Sequence, residues 1–434
     1  MPKRKRAQKI RSQPRPDADY GRPVELEISD MAQGGRGLAR LDGKTVFVPY
    51  TIPGELVAAE ITGRRGSAHF ARGIRLRAAS ADRVAPRCRH FGPGRCWECQ
   101  WQHINYSAQL LLKQDVLADQ LSRQGKLPDV LIDAALRPML PAPEQWAYNH
   151  ALRLNRNKRG SWGLRRDGGG FKPIDECPIT HPDLLELLQQ LDLDYALARR
   201  MTLRRGSDGR LMLIFDVTAE QEPDLRTDLP LSVNLILPDR EPINLIGDAH
   251  SQYTIAGHDF RVTAGASIRG NVAGVDLLVD QVIQALRLQG GERALDLYAG
   301  VGIFSAFLAW RTALVTLVES YPPAVSDADV NLRGIDNVDI VEGQVEAVLD
   351  DMASAGAHYD VAVVDPPSSG LGAAVIQNLS RLGIARLVYV SGDPASLARD
   401  SRQLIDAGYQ LRAMQPIDLA PQTYYISAVA TFER

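Results

Sequence analysis

Apolar and polar positions alternate with period two along Val24–Leu76, in VELEIS, GLARL, KTVFV, LVAAEI and FARGIRL, with GGRG, LDGK and IPGE as punctuation. Side chains two apart share one face of a strand, so each segment reads as a strand buried on one side. Five short strands separated by glycine turns predict a small closed β-barrel over residues 21–79. A helical period takes over in YSAQLLLKQDVLADQLSR, predicting an amphipathic helix over Tyr106–Arg123. From about Pro138 to Asp259 the strand patterns HALRLNR, RLMLIFDV and LSVNLIL flank a helix predicted near His181–Arg200. Residues 80–264 thus read as an α+β central domain. Beyond residue 265 the pattern changes again. RALDLYA, LVTLVE, VDIVEG, YDVAVVDP and RLVYVSG are near-continuous apolar runs, the mark of parallel strands buried on both faces. Two last strands, near Tyr409–Ile417 and Ile426–Glu433, close a doubly wound, Rossmann-like α/β domain over 265–434, whose ligand is expected at the carboxyl ends of its strands.

Charge refines this picture locally. The net charge is −2, so the whole chain is not a basic nucleic-acid binder. Residues 1–15 nevertheless carry seven Lys/Arg and no acid, and Arg153–Arg166 carries six more. Residues 1–20 read as a basic, disordered tail, and both stripes are candidate phosphate contacts. No apolar run approaches the ~20 residues that span a bilayer, and the N-terminus lacks a secretory apolar region. A cytoplasmic, monomeric protein is expected.

Only four cysteines occur. Cys88, Cys96 and Cys99 lie close together in CRHFGPGRCWECQWQ, and Cys177 stands alone in IDECPIT. A close trio with a distant fourth thiolate suits a cubane iron–sulfur cluster or a tetrahedral zinc. Either use leaves no spare thiol.

The first strand of the α/β domain ends in Asp296-Leu-Tyr298-Ala-Gly300-Val-Gly302. Glycines at such a turn let backbone approach a ligand closely. The second strand ends in Glu319, suited to ribose hydroxyls, and the fourth in Asp365-Pro-Pro, a stiff corner. Together these resemble the S-adenosylmethionine site of class I methyltransferases rather than a dinucleotide site with GxGxxG.

The barrel resembles a TRAM domain, an RNA-binding module, through GGRGLARLDGKTVFVPYTIPGE. With barrel, cysteine trio, distant cysteine and α/β domain in one order, the chain from about residue 22 resembles the tRNA/rRNA uridine-5-methyltransferase family. The resemblance implies an RNA partner, rRNA or tRNA, and a 4Fe–4S cluster on Cys88, Cys96, Cys99 and Cys177. It implies cofactor contacts at Tyr298, Gly300, Gly302, Glu319, Gln344 and Asp365.

Family chemistry adds a cysteine thiolate to carbon 6 of uracil, methylates carbon 5 and removes its proton with a carboxylate. The nucleophile's Ser-Cys-Asn/Asp-Pro turn is here Ser391-Gly392-Asp393-Pro394, and the Pro-x-Thr-x-His-x-Glu segment is Pro421-Gln-Thr423-Tyr-Tyr425-Ile-Ser427. The family's Gln-x-Asn pair reads Arg269-Gly-Asn271, and Ser368 stands where an Arg follows Asp-Pro-Pro. The nucleophile position Gly392 and base position Ser427 thus carry no catalytic group, and uracil carbon-5 methylation by the covalent route is not expected. Three readings follow: an RNA methyltransferase using direct transfer to a nitrogen or oxygen, a catalytically inactive RNA- and cofactor-binding paralogue, and a structural zinc protein.

Overall fold

The computed structural model describes residues 21–434 except 22, 194, 222 and 225, and the basic tail lies outside the described residues. The chain divides into two compact units, ending at Arg83 and starting at Val84.

The first unit is the expected barrel. Its strands are β1 (Pro23–Ala32), β2 (Arg36–Leu41), β3 (Lys44–Pro49), β4 (Leu56–Arg65) and β5 (Ala68–Ala78), closed in the order β1-β2-β3-β5-β4. Alternation sends Leu26, Ile28, Val46, Val48, Val57 and Ile61 inward, where each is almost fully buried.

In the second unit, α1 (Tyr106–Arg123) has the predicted bounds, capped by the Asn105 side chain on the Ala108 N–H. A short α2 (Asp129–Ala135) follows. The central sheet has seven strands: β6 (Ala151–Arg156), β7 (Trp162–Arg165), β8 (Phe171–Lys172), β9 (Ala198–Arg205), β10 (Leu211–Val217), β11 (Leu231–Ile236) and β12 (Pro242–Ile246). Its helix α3 (Pro182–Gln190) is shorter than the expected span to Arg200. Residues from Ala198 pair with β10 from Val217 backward, so tertiary pairing overrides local helical preference there.

A hairpin of β13 (His250–Ile255) and β14 (His258–Thr263) leads to the α/β layer. That layer comprises α4 (Val272–Leu286), β15 (Arg293–Leu297), α5 (Ile303–Ala309), β16 (Leu314–Glu319), α6 (Pro322–Asn331), β17 (Val338–Glu342), α7 (Val345–Ser354), β18 (Val361–Val364), α8 (Ala373–Arg381), β19 (Arg386–Ser391), α9 (Pro394–Asp406), β20 (Gln410–Ile417) and β21 (Ser427–Glu433). The strand order is β17-β16-β15-β18-β19-β21-β20, parallel except for β21, which runs antiparallel to both its neighbours. Two cores flank the sheet. One joins α4, α5 and α6 with the hairpin residues Tyr253 and Phe260, so the hairpin shares the core of the α/β layer although it precedes residue 265. The other joins α7, α8 and α9 with Leu117 and Leu121 of α1 and Ile132 of α2. Among the described residues no helix is long and apolar enough to cross a membrane.

Candidate functional site

Strands β17, β16, β15 and β18 are neighbours running the same way, so Gln344, Glu319, the Tyr298–Gly302 loop and Asp365 all lie along one carboxyl edge. Tyr298, Gly300 and Gly302 have φ of 61°, 59° and 84°. A left-handed tyrosine costs on the order of 1–3 kcal/mol, a strain typical of ligand sites. Gly302 starts α5, and a Cβ there would stand 3.1 Å from Leu332 Cδ1. Glu319 receives the Gly300 N–H on Oε2 at 2.9 Å, and those of Ser320 and Tyr321 on Oε1 at 2.7 and 2.8 Å. One carboxylate therefore ties the glycine loop to the start of α6. The Tyr298 hydroxyl donates to Glu346 of α7, and exposed Gln344 precedes that helix. Beneath the loop, buried Asp296 accepts from the Ser305 hydroxyl at 2.7 Å, and burial pushes its carboxyl up to about 7.

Asp365 does not stand free. Arg269 Nη2 donates to its Oδ1 at 2.8 Å. Next to it, a Cβ on Gly270 would fall 2.0 Å from Asn149 Oδ1, so a larger residue there would displace the Asn149 side chain. Asn271 caps α4 by accepting from the Gly274 N–H, and its Nδ2 donates to the Leu419 carbonyl at 3.0 Å. At the nucleophile position, a Cβ on Gly392 would meet nothing within 4 Å. Ser391 Oγ is engaged with Asp393 backbone, and the Asp393 side chain caps α9. Ser427 opens β21, and Tyr425, half exposed, packs on Tyr424 with ring centroids 4.5 Å apart and the rings tilted by 31°.

The segment leading into β21 is strapped from several directions. Lys113 of α1 donates to Asp418 Oδ1 at 2.7 Å and to the Ala420 carbonyl, with both charged side chains fully buried. Gln109 exchanges two hydrogen bonds with Gln422, whose φ is 70°. Trp101 N–H and Tyr148 Oη donate to the carbonyls of Gln422 and Pro421. None of these partners was legible in the sequence; the one signal was polar residues on the buried stripe of α1.

All four cysteines are free thiols lining one small cavity, with Phe91, Glu98 and Ile174 among its walls. The loops that carry them are pinned by Cys96 N–H to the His90 carbonyl and Cys88 N–H to Gln102 Oε1. Burial pushes the Cys96 thiol up to about 12 and raises the other three. Among the described residues no three Cys, His, Asp or Glu side chains form a set that could hold a single metal ion. Against the Cys177 loop lies a second cavity of about 320 Å³, walled by Glu98, Arg153, Thr180, Asn271, Thr423 and Tyr425. Glu98 and Cys177 line both cavities.

Comparison with known proteins gives the family. Residues 20–74 match the TRAM domain model. An uncharacterized RNA methyltransferase of Streptomyces avermitilis is 34% identical, the match spanning 95% of this chain and 98% of that protein. The 23S rRNA (uracil(1939)-C(5))-methyltransferase RlmD of Methylococcus capsulatus is 33% identical over 95% of this chain and 97% of its own length. The structure of Pyrococcus abyssi tRNA (uracil-54, C5)-methyltransferase in complex with S-adenosyl-L-homocysteine shares the fold, with TM-score 0.71, 22% identity and coverage of 94% of this chain and all of that one. Barrel, carboxyl-edge loop and near-full-length matches agree: the chain belongs to the uracil-5-methyltransferase family of RNA methyltransferases.

Proposed function

We propose that this protein is a cytoplasmic, monomeric S-adenosylmethionine-dependent methyltransferase of rRNA or tRNA that works without a covalent enzyme–RNA adduct. The observation that carries the cofactor assignment is the strained glycine loop of β15, anchored by Glu319, beside Gln344 and Asp365 on one edge. Glu319 is the ribose contact in this reading, and the Gly300–Gly302 backbone is the surface that the cofactor approaches. The missing thiol at Gly392 and missing carboxylate at Ser427 argue against attack on uracil carbon 6. Direct transfer needs only proximity and a lone pair. An acceptor nitrogen would attack the sulfonium methyl, the carbon–sulfur bond would break to leave S-adenosylhomocysteine, and the nitrogen would lose its proton to solvent.

The same reading assigns Cys88, Cys96, Cys99 and Cys177 to a 4Fe–4S cluster. A single tetrahedral zinc draws four sulfurs to roughly 3.8 Å of one another, from Zn–S bonds of about 2.3 Å. Four thiols lining one cavity supply the donor number that either group needs, and the family resemblance favours the cubane. Bound there, the cluster would replace the four thiol protons and cross-link the Cys88–Cys99 segment to the Cys177 loop. Anaerobically purified protein should contain iron and sulfide in near-equal amounts; stoichiometric zinc without sulfide contradicts this.

A second reading, an inactive paralogue that binds RNA and cofactor, is favoured by the Arg269–Asp365 ion pair, which ties up a carboxylate at the cofactor edge. Two measurements address both. Calorimetry should detect S-adenosylmethionine binding, weakened about ten- to hundredfold by Glu319→Ala through lost hydrogen bonds. RNA containing 5-fluorouridine should form no denaturant-stable adduct, whereas Gly392→Cys with Ser427→Glu has room to form one. An adduct on the unaltered protein contradicts the non-covalent route.

A further inference from the structure

Tyr148, Asn149 and His150 stand between the cysteine cavity and the carboxyl edge of the α/β sheet and are tied to both. On the cavity side, Tyr148 is buried in one cluster with Cys99, Cys177 and Ile179. The Asn149 N–H donates to the Ile179 carbonyl at 2.9 Å, and the Asn149 carbonyl accepts from the His181 N–H at 3.0 Å. Its backbone is thus zipped to the chain just past Cys177. On the other side, the His150 N–H donates to the Gly270 carbonyl at 2.8 Å, and Asn149 pairs with Asn271 in a short antiparallel bridge. Asn149 Oδ1 accepts from the Ala151 N–H at 3.2 Å and lies where a Cβ on Gly270 would need to be. Tyr148 Oη donates to the Pro421 carbonyl at 2.9 Å.

The segments so gripped carry the edge. Arg269 reaches Asp365, while Asn271 caps α4 and donates to the Leu419 carbonyl, so a shift of 269–271 moves all three contacts. The cysteine trio holds the 421–424 stretch as well. Trp101 N–H donates to the Gln422 carbonyl at 3.0 Å, and Gln100, next to Cys99, accepts from the Tyr424 N–H on Oε1 at 3.3 Å. These contacts form a ring from Cys99 through 422–424, Leu419, Asn271 and Asn149 to Cys177, and the four-thiol cavity lies where it closes. A metal centre held by thiolates from both loops shares its binding energy with the structure those loops support. We propose that Tyr148–Asn149–His150 is a coupling element, with Asn149 as its positioning residue, through which occupancy of the four-cysteine cavity sets the placement of Arg269–Asn271 and of 421–424. Loss of the metal centre then slackens the edge without unfolding its sheet. This rests on the reading of the four cysteines as ligands and of the carboxyl edge as the site of methyl transfer, and adds control of that site by the metal centre.

The test compares hydrogen exchange in the full chain, purified anaerobically with its metal bound, before and after a chelator withdraws the metal. The His150, Gly274 and Tyr424 amides report on the ring, since they donate to the Gly270 carbonyl, Asn271 Oδ1 and Gln100 Oε1. Metal loss should quicken all three about tenfold or more, while β15 and β16 stay protected. Asn149→Ala with its metal content unchanged should quicken His150 and Gly274 but not Tyr424. Asn149→Asp, which keeps the acceptor oxygen, should restore their protection. Quickening confined to residues 88–99 and 177–181 on metal loss, or unchanged exchange at Gly274 in metal-replete Asn149→Ala, overturns the proposal. If the metal-free chain unfolds throughout, the Asn149 variants decide. A preparation that binds no metal contradicts the ligand assignment and the coupling with it. S-adenosylmethionine titrated calorimetrically in parallel separates the claims: metal-dependent exchange without cofactor binding supports the coupling and contradicts only the enzyme.

Discussion

Asp296 is a carboxyl held where its charge is costly. Its Oδ2 accepts from Ser305, but buried Oδ1 has no partner, and burial raises its ionisation to about 7 from 3.8. Below pH ~4 folded and unfolded chains both hold the proton. As pH rises from about 4 to 7, the unfolded chain releases it and the folded chain keeps it, so stability falls across that window and levels off above it. Asp296→Asn should therefore gain on the unaltered protein in urea midpoint between pH 4 and 7, by a few kcal/mol at most at roughly 1.4 kcal/mol per pH unit. Parallel curves would contradict this. Lys113 and Asp418 pose the complementary case, two fully buried charges paired through Asp418 Oδ1. Burial depresses the Lys113 ammonium, and the Asp418 charge opposes that. Lys113→Met leaves a buried carboxylate unpaired and should cost about 3–5 kcal/mol, while Lys113→Met with Asp418→Asn should recover most of it in the same urea titration.

At the scale of elements, the barrel and α1 were legible because each buries a regular stripe, and the strands of the α/β sheet because most are buried on both faces as continuous apolar runs. Short β7 and β8 lacked such a signal, and the β13–β14 hairpin, though it buries Tyr253, Ile255, Phe260 and Val262 alternately, went unread because each strand has only six residues. Helix α3 was overextended because residues 198–200 belong to a strand whose partner lies further along the chain. The carboxyl edge that gathers the candidate cofactor residues follows from motifs, but long-range contacts do not: Arg269 meets Asp365 across 96 positions, and Gln109 meets Gln422 across 313. Such contacts carry no local signal. They do predict behaviour. Gln109→Leu removes both hydrogen bonds to Gln422, a residue held in left-handed backbone, and should free the segment 418–425. Hydrogen exchange should quicken at those amides and stay unchanged in β15 and β16; uniform protection would show the strap to be dispensable.

On the scale of the whole molecule, the chain consists of two compact units whose tasks can be separated. Deleting residues 1–83 removes the TRAM barrel and the basic tail, so RNA affinity and the steepness of its fall with salt should both decrease. Affinity for S-adenosylmethionine should be unchanged, since every residue assigned to it lies beyond Val84. A salt slope equal to that of the full chain would remove the first unit from the RNA interface. The central claim, methyl transfer to RNA without a thiol adduct, is tested most directly by nucleoside mass spectrometry of total RNA from cells with and without this gene. The account predicts that deletion removes one methylated nucleoside other than 5-methyluridine and leaves 5-methyluridine intact. Loss of 5-methyluridine, or no loss of any methylated nucleoside, would contradict it.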